Sequence, residues 1–236
     1  MCGIVGYIGD RPVQEVLLGG LRKLEYRGYD SAGISILDDG HFSSVRAVGN
    51  LDALDVALSA AAPEGTPVAL AERAPTTGIG HTRWATHGRV NEANAHPHSD
   101  DDDRVHVVVN GIVENYMEIK EALIAGGAIF SSETDAEVVA HLISQRIEAG
   151  DGLVDAVLAA YARIRGHYAF VAVSADEPEL LVGARKECPL VIGRGEGEQF
   201  VASAIPAFLQ HTRRVQLIEN DEIVVVRRDE IGRAHV

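Results

Sequence analysis

Apolar residues recur along this chain with two periods, and the order of those periods predicts its layers. Residues 4–8 form a short apolar run closed by Gly9-Asp10, the pattern of a buried strand. Val13, Val16, Leu17, Leu21 and Leu24 then recur three and four apart, which predicts a helix capped by Asp10, with Pro12 in its first turn and Gly28 at its end. Residues 31–37 and 42–48 flank Asp38-Asp39-Gly40, a hairpin signature. A short helix is expected over 51–62, and the alanine- and proline-rich stretch 61–77 reads as a surface connection.

Residues 78–98 show neither period and are dense in polar side chains, which predicts a functional loop region hung from a short strand. The acidic run 99–103 is expected as a solvated turn, because it lacks the spaced ligands and the glycine of a calcium loop. An apolar strand over 105–110 precedes Gly111. Helices are predicted over 116–125, 135–149 and 153–165, each with apolar residues three and four apart. Strands are predicted over 168–173, 180–184, 190–192, 200–202 and 223–226. Strands first, helices in the middle and strands again favour an α+β layered fold with antiparallel sheets over a parallel βαβ one. With no internal repeat, low-complexity linker or boundary, residues 2–236 are expected to act as one unit.

Composition narrows the function. With 46% hydrophobic and 24% charged residues, the 236-residue chain is an ordinary globular one. Its net charge of -14, without a basic block, argues against nucleic acid and membrane surfaces as partners. Only Cys2 and Cys188 are available as thiols, too few for a disulfide framework and unlike any paired zinc spacing. No leader pattern or membrane-length apolar run is present, so the expected location is the cytoplasm.

Four places could carry chemistry. Removal of Met1 would leave Cys2 with a thiol and a free amine on one residue, and an α-amine titrating near 7.7–8.0 is a ready base for its own thiol. His81-Thr82-Arg83-Trp84-Ala85-Thr86-His87-Gly88 follows a strand, and Arg83 offers a planar fork for a carboxylate. Asn110-Gly111 reads either as a tight hairpin turn or as an oxyanion hole made of an amide and a backbone N–H. Ser131-Ser132-Glu133-Thr134-Asp135 reads either as helix capping or as a site where Asp135 receives an ammonium. His81, His87, His96 and His98 lie close enough in sequence to suggest zinc, but no HExxH arrangement supports it. Cys188, before Pro189, is expected as an inert buried thiol.

Taken in order, Cys2 to Gly6, Tyr26 to Gly33, His81 to Gly88, Asn94 to His98, Asn110-Gly111-Ile112 and Ser132 to Asp135 resemble the N-terminal glutaminase domain of the glutamine–fructose-6-phosphate aminotransferases, over essentially the whole chain. The resemblance implies an N-terminal-nucleophile hydrolase fold, a four-layer αββα arrangement with two antiparallel sheets. It implies that Cys2 attacks the side-chain amide of glutamine, with Asn110 and Gly111 holding the oxyanion. Arg83, helped by Thr86 and His87, would bind the α-carboxylate, and Asp135 the α-ammonium. Trp84 would gate the site, Arg27 support the nucleophile loop and His96 line the pocket, with no cofactor and no metal. Related amidotransferases share the N-terminal cysteine, so their glutaminase domains are a second reading, and a non-catalytic glutamine-binding module a third. Full enzymes of this family continue into an isomerase half and are expected to be homodimers. This chain reaches Val236, about where that half begins, so its own expected reaction is glutamine hydrolysis. Cys188 stands where the family usually has a serine.

Overall fold

The computed structural model describes residues 2–61 and 75–235, so the surface connection expected over 61–77 lies almost wholly outside the described residues. One sheet runs in the order β11 (Val215–Leu217), β9 (Val191–Arg194), β10 (Gln199–Ala202), β1 (Gly3–Ile8), β4 (Thr77–Arg83), β2 (Ser31–Asp38) and β3 (His41–Val48). The other runs β13 (Ile231–His235), β12 (Glu222–Val226), β8 (Leu181–Lys186), β7 (Gly166–Ser174), β6 (Val105–Val113) and β5 (His98–Ser99). Every pairing between these strands is antiparallel. Helices α1 (Val13–Leu24) and α2 (Leu51–Ala61) cover the first sheet; α3 (Tyr116–Ala125), α4 (Glu137–Glu148) and α5 (Leu153–Arg163) cover the second.

The alternation of side chains along each strand builds the layers. In β7, Tyr168, Phe170 and Ala172 face the helices, whereas Ala169, Val171 and Val173 face the opposite sheet. In β1, Val5 and Tyr7 pack toward α1 while Ile4 and Ile8 enter the space between the sheets. Strands covered on both faces need apolar residues at every position, which is why these runs are continuous rather than alternating. The fold is the four-layer αββα arrangement with two antiparallel sheets.

Several expected details are replaced. Asp10 does not cap α1: the helix starts one residue after Pro12, its first N–H donates to the Pro75 carbonyl at 2.9 Å, and the Asp10 carboxylate pairs with Arg228. A distant carbonyl already serves the helix end, so no side-chain cap is needed there. Residues 77–83 are not loop but the wholly buried strand β4, central in its sheet. Its glycines leave no hydrophobic signature, because Val13 and Leu17 of α1 and the Ser35 carbonyl of β2 occupy the room a side chain at Gly78 would need.

The acidic run is the expected turn, with Asp101, Asp102 and Asp103 exposed, but its first carboxylate is not solvated. Asp100 is buried, accepting from the N–H groups of Arg104 and Val105 at 2.8 and 2.9 Å and from the Ser144 hydroxyl at 2.6 Å. Strand β6 does not stop at Asn110 but continues to Val113, paired with β7 from Val105↔Ser174 to Val113↔Gly166. The edge strands β5, β11 and β13 were not anticipated; short, partly polar edges carry little pattern.

Leu181 lies fully buried between the sheets. Leu181→Ala is expected to lower stability by about 2–5 kcal/mol, read as a shifted urea midpoint with an unchanged slope.

Candidate active site

The pairing of β1 with β4 places Gly3 opposite Thr82, so Cys2 lies beside the Arg83-Trp84 peptide at the mouth of the first sheet. Close approach requires Gly3: a Cβ there would sit 2.6 Å from Thr82 Oγ1 and 2.9 Å from Leu24 Cβ. Gly28 meets the same peptide from the other side, with room for no side chain at 2.7 Å from the Arg83 carbonyl carbon. The Trp84 N–H donates to Cys2 Sγ at 3.2 Å, and the Cys2 carbonyl accepts from Arg27 Nε at 3.1 Å and from Asn110 Nδ2 at 3.2 Å. Burial pushes the Cys2 thiol up from its ordinary value, against the Trp84 N–H and the charges of Arg83 and Arg27.

Around this thiol, Arg83, Trp84, Thr86, His87, His96, Gly111 and Asp135 line one pocket. Asp135 is buried; its Oδ2 accepts from the Val113 N–H at 2.7 Å, and burial raises its pKa more than that bond lowers it. Among the described residues no ion pair reaches this carboxylate directly, Arg83 and His87 acting on it only through space, so a cation entering the pocket is favoured beside it. The Ser131–Asp135 stretch makes no cap for α4. Glu137, at the start of that helix, instead accepts from the N–H groups of Ser131 and Ser132 at 2.7 and 2.8 Å.

The loop after β4 is curled around Arg83, whose Nη atoms donate to the carbonyls of His87, Gly88 and Arg89. Three carbonyls take three of the five guanidinium N–H groups, leaving two. Trp84 is 44% exposed and meets Tyr29 edge to face, with ring centroids 5.6 Å apart. As it stands, the pocket holds about 20 Å³, room for about one water. The residue expectations missed Asp30, which fixes this loop by accepting from the Ala85 N–H at 2.9 Å. They also missed Asn94, whose side-chain oxygen takes the Glu133 N–H at 2.8 Å and whose NH₂ donates to Glu133 and to the Arg89 carbonyl. Both lie inside motifs visible in the sequence; only the fold shows what they hold.

Gly111 sits in β6 with φ of +95°, and a Cβ there would lie 2.0 Å from the His167 carbonyl oxygen, so the strand passes its partner only as glycine. Cys188 Sγ borders the same position and is half-buried, not wholly buried as expected. Behind Asn110 stands a column of rings: His81 stacks on His96 at 4.1 Å and His96 meets His98 edge-on at 4.4 Å. Stacked faces do not converge on a metal, and among the described residues no group of three or more His, Cys, Asp or Glu side chains is arranged to hold one. His87 stands apart, near Tyr116.

A family model described as a glutamine amidotransferase domain matches residues 81–210. Over 231 residues the chain is 48% identical to glutamine–fructose-6-phosphate aminotransferase (isomerizing) of Gloeobacter violaceus, covering 98% of this chain and 36% of the relative. The Pyrococcus horikoshii enzyme of the same name is 46% identical, covering 97% and 37%. The chain thus spans little more than a third of the length of these curated relatives. Among solved structures, glutamine phosphoribosylpyrophosphate amidotransferase from B. subtilis superposes with a TM-score of 0.80 at 22% identity, over 99% of this chain and 49% of that one. A glutamine aminotransferase class-II domain protein from Silicibacter pomeroyi gives 0.64 at 15%, over 99% of both. At those identities the two structures speak for the fold. Among the described residues no helix is long and apolar enough to cross a membrane.

This geometry has two measurable consequences. Asp30→Ala removes the acceptor of the Ala85 N–H and is expected to speed both proteolytic cutting within residues 84–90 and alkylation of Cys2, as the loop opens more often. The buried rings set an acid limit. Burial holds His81 at about 3 and lowers His96 and His98, against 6.5 when unfolded. Below pH 6.5 the unfolded chain therefore binds protons the folded one refuses, and stability falls with pH down toward the folded values. Urea titrations should show this as up to about 1.4 kcal/mol per pH unit for each ring.

Proposed function

This chain belongs to the glutamine amidotransferase domain family, and we propose that it hydrolyses L-glutamine to L-glutamate and ammonia through a thioester on Cys2. The observation that carries the reading is the convergence of a thiol, a buried cation, a buried anion and Gly111 on one pocket, with the Asn110 amide hydrogen-bonded to the Cys2 carbonyl beside it. Those are the groups needed by a zwitterionic amino acid with a scissile amide.

Burial keeps Cys2 protonated, so the nucleophile needs a base at hand. With Met1 removed, the Cys2 amine takes the thiol proton as sulfur attacks the δ-carbonyl carbon, then delivers it to the departing nitrogen. The C–N bond breaks, ammonia leaves, and water cleaves the resulting thioester to free glutamate and the thiol. Asn110 Nδ2, near Cys2, and the Gly111 N–H stabilise the oxyanion of each tetrahedral intermediate. Asp135 receives the α-ammonium. Arg83, with two N–H groups beyond those its loop uses, serves the α-carboxylate with Thr86 and His87. Trp84 moves with the loop as the gate, Arg27 braces the Cys2 carbonyl, and His96 forms a wall of the pocket.

The relatives' name supplies the acceptor: we propose that the ammonia goes to fructose 6-phosphate, on an isomerase part of a longer, dimeric protein. Residues 2–236 then form the glutaminase unit, working in the cytoplasm without cofactor or metal.

Intact mass before and after an electrophilic glutamine analogue tests this directly. Loss of Met1 and a single adduct on Cys2 are expected; a chain that takes no adduct favours a binding module without turnover. Cys2→Ala should keep glutamine binding and lose turnover. Asp135→Asn should raise KM by roughly ten- to a hundredfold with a smaller change in kcat, the scale of one hydrogen bond to a charged group.

A further inference from the structure

A role for His81 rests on the oxyanion reading, which needs the Asn110 amide in one of its two orientations: NH₂ toward the thiol and oxygen away. An amide flips by rotation about one bond, so something must choose. On one side, the Cys2 carbonyl oxygen lies 3.2 Å from Asn110 Nδ2; turned over, two acceptor oxygens would face each other there. On the other, Asn110 Oδ1 lies 3.0 Å from His81 Nε2. The bond there forms only if that nitrogen carries the proton.

We propose that His81 is a positioning residue whose Nε2–H, donated to Asn110 Oδ1, locks the amide with its NH₂ facing Cys2. His81 is fully buried in β4, and its register opposite Gly33 and Ile4 fixes where the ring can reach. His96 stacks on one face at 4.1 Å and keeps water off it. The Val109 backbone offers the ring a rival acceptor for its proton, but no partner meets hydrogen-bond geometry at Nδ1. His96 has its own assignment: its Nδ1 accepts from the Val109 N–H at 3.3 Å, so its proton sits on Nε2. Burial holds the His81 ring neutral, with a single proton to place. If that proton moved to Nδ1, Nε2 would become an acceptor, draw the Asn110 NH₂ toward itself and turn the amide oxygen onto the developing negative charge.

The test has two arms. Long-range proton–nitrogen correlation on the unmodified chain should show the His81 proton on Nε2 near neutral pH; a proton on Nδ1 overturns the proposal. In kinetics, His81→Phe keeps a flat buried ring without the donor and should cut kcat for glutamine about ten- to a hundredfold, below the roughly 10²–10³ of losing an oxyanion donor outright. KM should stay within about threefold, and His81→Gln, which returns an N–H donor, should recover most of the loss. In an Asn110→Ala background, His81→Phe should cost nothing further. An undiminished kcat in His81→Phe, or the same loss with and without Asn110, rejects the positioning role. A Cys2→Ala chain that still turns over glutamine rejects the glutaminase reading instead, and the proton's position then judges His81 alone. If His81→Phe does not fold, the spectroscopic arm decides.

Discussion

The backbone pairing of β1 with β4, closed where Gly3 faces Thr82, is the contact on which the rest of the site depends. Cys2 comes immediately before the first paired residue and Arg83-Trp84 immediately after the last on the other strand, so the ladder itself sets their separation. Two glycines make that closeness possible, Gly3 in the strand and Gly28 in the turn after α1, because any side chain at either would drive the backbones apart. The Trp84 N–H can then reach Sγ. A group held by a ladder shared among seven strands cannot drift without cost to the whole sheet.

The second sheet supplies the opposite wall. Asn110 and Gly111 lie on β6, and Val113, two residues on, donates its N–H to Asp135, so one strand carries the pair proposed to hold the oxyanion and orients the buried carboxylate. The three histidines fill the space behind that strand. Here burial is the common electrostatic device: it holds the thiol protonated and the imidazoles neutral, and it raises the pKa of the Asp135 carboxyl. Of these only the buried carboxylate bears a desolvation cost near neutral pH, and a cation beside it would relieve that cost. Low dielectric also strengthens the hydrogen bonds within the pocket.

Element type and the α+β class were readable because they depend on period alone. The stripe of Val13, Val16, Leu17, Leu21 and Leu24 and the unbroken apolar runs of β6 and β7 report burial on one side and on two. The failures share a physical cause. Strand β4 reads as loop because Ile79 is its only large apolar residue, set among glycines, threonines, a histidine and an arginine, so packing against tight neighbours rather than hydrophobicity decides it. Asp10 reads as a helix cap and Asp100 as part of a solvated turn, yet one binds a distant arginine and the other is buried by three donors that local sequence does not foretell.

The residue types of the site, the thiol at position two, the arginine and tryptophan after His81, the Asn-Gly pair and Asp135, were all legible in the sequence, as was the α+β class with antiparallel sheets that its apolar periods encode, the αββα order itself coming from the family resemblance. Which atoms those residues offer was decided only by tertiary structure. Asn110 presents its NH₂ to Cys2 because His81, 29 positions earlier, stands at its oxygen, and Arg83 holds its own loop as well as facing the pocket. Orientation of a hydrogen-bonding group depends on partners that are distant along the chain and adjacent in space, and one-dimensional pattern carries no information about them.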